Sequence, residues 1–148
     1  GDVYKRQVFN SKPPIRGTYW QRLVDILSGL LFLFPAYIAY VSGLVFVALM
    51  AFLVAITSVF NIIWPNHFVR IIDYSFAVSY ILVCLAMVIY SGFVYPMTVY
   101  AAICAAIAFV FYGLHACFYR NNKWSILYVC WHVFAVGVAI FSTLAYLG

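Results

Sequence analysis

The chain alternates long apolar runs with short polar segments, and this pattern predicts helices that cross a membrane. A helix that spans the hydrocarbon core of a bilayer needs about 20 apolar residues. Backbone groups in lipid must be bonded within helices or a closed barrel, and a barrel would show alternating apolar and polar positions. The apolar runs in this chain are continuous. We therefore predict an all-α integral membrane bundle.

Five spans account for the apolar runs. The run from Leu23 to Trp64 is too long for one span and fits two, with a turn at Ser42-Gly43 between them. Polar or turn-forming segments follow at WPNHFVR, SGFVYP and YRNNKW. The predicted transmembrane spans are 22–40, 44–63, 71–91, 96–118 and 125–147.

Composition and charge support a membrane protein and set its predicted orientation. Only 7% of the residues are charged, whereas a soluble domain has about 25%. The net charge of +5 indicates anionic membrane lipids as partners and not nucleic acid, because the cations lie at span ends. With five spans, the cations beyond residue 7 all fall on one side: Lys12, Arg16, Arg22, Arg70, Arg120 and Lys123. The positive-inside rule makes this side, and with it the N-terminus, cytoplasmic.

The predicted spans divide the chain into three regions. Residues 1–7, GDVYKRQ, resemble a translated sequencing adapter, and we expect them to be an artefact outside the fold. Residues 8–21 are predicted to form a cytoplasmic juxtamembrane segment, and residues 22–148 the transmembrane domain. Small residues in the fourth span allow close helix approach, which is compatible with a homo-oligomer.

Polar side chains inside the predicted spans lie near the cytoplasmic boundary. At about 1.5 Å per helical residue, they fall within roughly 4–12 Å of it. They are Thr57, Asn61, Asp73, His115, Tyr128 and His132. Tyr128 and His132 are four residues apart and share a helix face. Ionisable residues are costly in lipid, so this group is the candidate functional site.

These residues also have a structural interpretation. Asp25 and Asp73 could pair with Arg22 and Arg70 near the interface. His132 could be a buried imidazole that is hydrogen-bonded across helices. The polar residues would then only link helices, as in a non-catalytic structural or small transport-related protein.

Three segments resemble signatures of the CREST superfamily of multi-pass membrane proteins. They are TSVFN (57–61), RIIDYSFAVSY (70–80) and YVCWHVFAVG (128–137). The superfamily includes hemolysin-III-like proteins, progestin and adipoQ receptors, and alkaline ceramidases. Its hemolysin-III pattern has Ser-x-x-x-His, then Asp, then His-x-x-Trp-His.

The resemblance assigns roles residue by residue. Thr57 takes the place of the Ser, Asp73 that of the Asp, and His132 that of the last His, whereas Asn61 and Tyr128 stand where the family has histidines. The family's active members are zinc-dependent lipid amidases with seven spans. The resemblance thus implies a divergent lipid amide or ester hydrolase, with Asp73 and Thr57 as catalytic residues and Asn61 and Tyr128 as supporting ones.

A zinc site would need three protein ligands and a bound water. His132, Asp73 and His115 could supply them if the third, fourth and fifth spans converge. A haem held between His115 and His132 is a further option, because the two residues differ in depth by about one turn. Metal binding therefore separates the hydrolase interpretation from the non-catalytic one.

Overall fold

The computed structural model describes residues 19–118 and 124–148, which are almost entirely helical. The helices are α1 (Tyr19–Leu30), α2 (Leu33–Val41), α3 (Val45–Ile63), α4 (His67–Tyr90), α5 (Met97–Phe118) and α6 (Trp124–Leu147). The candidate membrane spans are Tyr19–Val41, Val45–Ile63, His67–Tyr90, Met97–Cys117 and Ile126–Leu147. The prediction of an all-α bundle with five spans is confirmed. The predicted adapter segment 1–7, most of the juxtamembrane segment 8–21 and the loop 119–123 lie outside the described residues.

The first span is interrupted between α1 and α2, where the sequence predicted one continuous helix. Pro35 lacks the N–H that would bond to the carbonyl of Leu31, and its ring crowds the preceding turn. The N–H groups of Leu31 and Phe32 instead bond to the carbonyls of Ser28 and Gly29, both at 3.3 Å. Each half of this span packs against α3 and α6.

The turns between the helices lie close to the predicted positions. Gly43 has a φ of 81° and ends the first span, and Gly92 has a φ of 72° in the turn after α4. Glycine adopts such positive φ values without steric cost. Helix α4 begins at His67, four residues earlier than predicted, because the side chain of Asn66 accepts a hydrogen bond of 2.8 Å from the N–H of Val69 and caps the helix.

Four spans form a ring, and the fifth lies outside it. In the ring, α1–α2 packs against α3, α3 against α4, α4 against α6, and α6 against α1–α2. Helix α5 packs along α6. In the described part of the chain, α4 and α5 have at most marginal contact with each other. This arrangement leaves a gap between α4 and α5 over the surface of α6.

Small side chains allow the helices to approach closely in the core. Ala39, Ala51 and Ala55 are fully buried. In the alanine-rich part of α5, Ala108 is buried within the chain and Ala106 is exposed. Homo-oligomerisation through this helix stays a prediction.

Candidate functional site

The carboxylate of Asp73 joins α4 to α3. Asp73 is 5% exposed. Its Oδ1 accepts hydrogen bonds from Ser58 Oγ at 3.1 Å and Thr57 Oγ1 at 3.2 Å, and its Oδ2 accepts one from Asn61 Nδ2 at 2.9 Å. Both carboxylate oxygens therefore have donors from α3. We call Asp73, Thr57, Ser58 and Asn61 the carboxylate cluster.

Ser58 is the hydroxyl donor that sequence reasoning missed. Thr57 has one hydroxyl proton, and its Oγ1 lies closer to the carbonyl oxygen of Leu53, at 2.8 Å, than to Asp73. The buried hydroxyl of Ser58 has Asp73 as its hydrogen-bond acceptor. Ser58 and Asn61 are three residues apart and share a helix face, which is the signal that could have revealed Ser58.

His132 has a fixed tautomer because of its contact with Ser28. His132 is 2% exposed, and its Nδ1 lies 2.9 Å from Ser28 Oγ. The Ser28 hydroxyl donates its proton to the carbonyl oxygen of Asp25 at 2.7 Å. A hydroxyl has a single proton, so Ser28 accepts from His132 Nδ1–H. The other ring nitrogen, Nε2, then presents a lone pair.

Aromatic rings hold the imidazole of His132 in place. The ring centroids of Tyr128, Trp131 and Phe32 lie 4.2, 4.9 and 5.7 Å from that of His132. Tyr128 and His132 therefore lie side by side, as their four-residue spacing predicts. Tyr128 also contacts His115, with ring centroids 5.5 Å apart, and His115 is buried. We call Ser28, His115, Tyr128 and His132 the imidazole cluster.

The predicted ligands do not form a three-ligand metal centre. In residues 19–118 and 124–148, no three His, Cys, Asp or Glu side chains lie close enough to hold a metal ion. The oxygens of Asp73 accept hydrogen bonds from α3, and Nδ1 of His132 is bonded to Ser28. The arrangement of Asp73, His115 and His132 therefore does not fit a catalytic zinc site. Zinc stays a prediction of the resemblance.

Members of both clusters line one cavity of about 360 Å³, and Ser28 lies behind His132 outside the lining. Five of the six residues predicted from the sequence contribute to its wall: Asn61, Asp73, His115, Tyr128 and His132. Thr57 is not among the lining residues. Arg22, Arg70 and the fully buried Asp25 line the same end of the cavity, which we call its basic end.

Away from the basic end, the cavity has apolar walls and reaches the side of the bundle. Val78 on α4 and Phe109 on α5 line it, yet they are 56% and 67% exposed. The cavity therefore opens toward the lipid in the gap between α4 and α5. Along α4 its lining extends from Arg70 to Cys84, about 21 Å at roughly 1.5 Å per residue. This length exceeds half of the hydrocarbon thickness of about 30 Å.

No family model matches the chain, and no curated protein or solved structure is significantly similar to it. The resemblance to the CREST superfamily thus rests on three short segments, 57–61, 70–80 and 128–137. The cavity, with its polar end and its lateral opening, is the structural feature that points to a function.

Proposed function

We propose that this multi-pass membrane protein binds a single-chain amphiphile taken up sideways from the bilayer. The observation that supports this proposal is the cavity, which combines a polar, hydrogen-bonding end with apolar walls and a lateral opening between α4 and α5. An amphiphile has the same division along its length. Its polar group would lie beside the two clusters, and its chain would follow α4 toward Cys84.

The size of the cavity favours one hydrocarbon chain over two. A volume of about 360 Å³ lies near the lower end of the range for small-ligand sites, about 300–1,000 Å³. A two-chain phospholipid would need a second groove of similar length. With the orientation that the positive-inside rule predicts, Arg22 and Arg70 would place the polar group in the cytoplasmic leaflet.

Two alanine positions on α5 provide a matched test. Ala105 lines the cavity, whereas the adjacent Ala106 is exposed on the outer face of the helix. Ala105→Phe would fill part of the cavity, and Ala106→Phe would add the same ring in lipid. The full chain in nanodiscs would be irradiated with an amphiphile that carries a photoactivatable diazirine on its chain. Labelled residues would then be mapped by mass spectrometry.

We expect labelling of cavity residues on α4 and α6 in the unmodified chain and in Ala106→Phe. Ala105→Phe should reduce this labelling at least fivefold, because the ring occupies the space of the chain. Labelling of outward-facing residues should be the same in all three proteins. Equal labelling of the cavity in Ala105→Phe and Ala106→Phe would contradict the proposal.

A second candidate function is the divergent lipid amide or ester hydrolase that the resemblance implies. Asp73 and His132 line the cavity in which the amphiphile would bind, and this observation favours a hydrolase. It would be tested by incubating the purified protein, with and without added zinc, with lipid esters and amides. Release of the acyl chain that is lost in His132→Ala and Asp73→Ala would support a hydrolase. Binding without turnover would support the non-catalytic protein.

A further inference from the structure

We infer that the amphiphile is a neutral lipid whose hydroxyl group donates a hydrogen bond to Nε2 of His132. This inference rests on the proposed function, because it names the chemistry of the ligand in the same cavity. It goes beyond that function because it assigns one recognition atom and one class of polar group.

The first support is the state of the His132 ring. Nδ1–H donates to Ser28, so Nε2 is an acceptor. The hydrogen bond that the structure gives to this ring is the one at Nδ1, which leaves Nε2 as the atom that a ligand can reach. The residue is 2% exposed and lines the cavity. An acceptor that faces an apolar cavity gains free energy from a hydrogen bond, so a donor on the bound ligand would stabilise the complex.

The second support is another buried polar atom on the cavity wall. Tyr80 is 3% exposed and lines the cavity, and its hydroxyl lacks an oxygen or nitrogen hydrogen-bond partner in the described part of the chain. The neighbouring thiol of Cys84 is only a weak partner. The rings of Tyr80 and His132 flank Phe32, with centroid distances of 6.4 and 5.7 Å. The wall therefore presents two polar atoms to which a ligand could form hydrogen bonds. A purely apolar chain would leave both atoms without a strong partner.

The charges on the wall favour a neutral polar group. The charged lining residues are two cations, Arg22 and Arg70, and two carboxylates, Asp25 and Asp73. With both carboxylates ionised, the formal charges cancel, and the wall then has no net charge that would select an anion or a cation. A carboxylate on the ligand would also place an acceptor against the Nε2 lone pair. A hydroxyl supplies the required donor without a charge.

A pair of probes that differ only in this donor tests the inference. They are 4,5-dibromo-octadecan-1-ol, whose bromines lie near the hydroxyl group, and its methyl ether, each mixed into nanodiscs of unbrominated phospholipid that contain the full chain. Bromine quenches tryptophan fluorescence at short range, and Trp131 lines the cavity beside His132. The total quenching comes from several tryptophans. The part that arises in the cavity is the part that is absent in Trp131→Phe.

We expect the alcohol to reach half-maximal quenching of Trp131 at about one tenth of the mole fraction of the ether, since one buried hydrogen bond corresponds to about a tenfold change in affinity. In His132→Phe the two probes should become equal. The comparison of the two probes in the unmodified chain does not depend on the folding of that variant.

Each contrary result has a distinct meaning. Equal quenching by alcohol and ether in the unmodified chain would overturn the hydroxyl inference and leave amphiphile binding intact. The carboxylic acid with the same brominated chain serves as a third probe. If it binds more tightly than the alcohol, the neutral-ligand inference is overturned and recognition is assigned to the arginines. No quenching of Trp131 by any probe would overturn both the inference and the proposed function.

Discussion

Nδ1 of His132 lies 2.9 Å from Oγ of Ser28, and this contact joins α6 to α1 near the basic end of the cavity. The contact determines which ring nitrogen is bonded within the protein and which lines the cavity. The hydroxyl proton of Ser28 is used within its own helix, at the carbonyl of Asp25. Ser28 is thus a positioning residue for His132.

Ser28→Ala should lower the free energy of unfolding by about 1–2 kcal/mol, because it leaves the buried Nδ1–H of His132 without its acceptor. The measurement is reversible unfolding in mixed micelles, followed by circular dichroism. Ser79→Ala is the matched control, since Ser79 is exposed and its hydroxyl bonds to the carbonyl of Ser75 in its own helix. Equal effects of the two substitutions would show that the contact with His132 contributes no stability.

Asp73 and Asn61 should be energetically coupled. Their hydrogen bond of 2.9 Å links α4 to α3, so we expect the effects of Asp73→Ala and Asn61→Ala on unfolding to be non-additive by about 1 kcal/mol. A double-mutant cycle measures this coupling. The same cycle with Asp73 and the exposed Ser79 should be additive within about 0.5 kcal/mol. Additivity in both cycles would mean that the hydrogen bond does not stabilise the bundle.

The spans could be predicted from the sequence because lipid imposes a length and a composition on them. The apolar runs and the turns at Gly43 and Gly92 lie close to the predicted positions. The start of α4 was placed four residues late because WPNHFVR was interpreted as one polar loop. The side chain of Asn66 caps the helix within that segment.

The site could be predicted only in part, because depth along a span does not reveal which spans are neighbours. The depth of the polar residues along the spans predicted five residues that line the cavity. It did not find Ser28 as the partner of His132, since that contact links residues 104 positions apart. Nor could depth decide whether the third, fourth and fifth spans converge, which was the condition for a zinc site. In the structure α5 packs along α6 and lies outside the ring.

The metal content of the purified protein separates the two functional candidates. We expect less than 0.1 zinc per chain, because the predicted ligands do not fit a three-ligand site in the part of the chain that the structure describes. Inductively coupled plasma mass spectrometry of protein without a histidine tag measures it, with His132→Ala as the comparison. One zinc per chain that is lost in His132→Ala would contradict this expectation and favour the hydrolase.

Close packing of α5 on α6 should be sensitive to a single methyl group at Gly137. A Cβ at this position would lie 2.9 Å from Sγ of Cys104 and 3.5 Å from its Cβ. The first distance is a steric clash and the second an ordinary contact. Gly137→Ala should therefore lower the free energy of unfolding by about 1–2 kcal/mol, measured in mixed micelles as for Ser28→Ala.

Cys104→Ala should suppress the effect of Gly137→Ala, because it removes the sulfur that the new methyl group meets and keeps the Cβ. Gly113→Ala on α5 is the control for the change in helix propensity. A Cβ at Gly113 meets nothing within 4 Å, so this substitution should be neutral or stabilise the helix by about 0.5–1 kcal/mol. If Gly137→Ala stays equally destabilising in the Cys104→Ala background, the clash with the thiol is not its cause, and the α5–α6 contact differs from the one described.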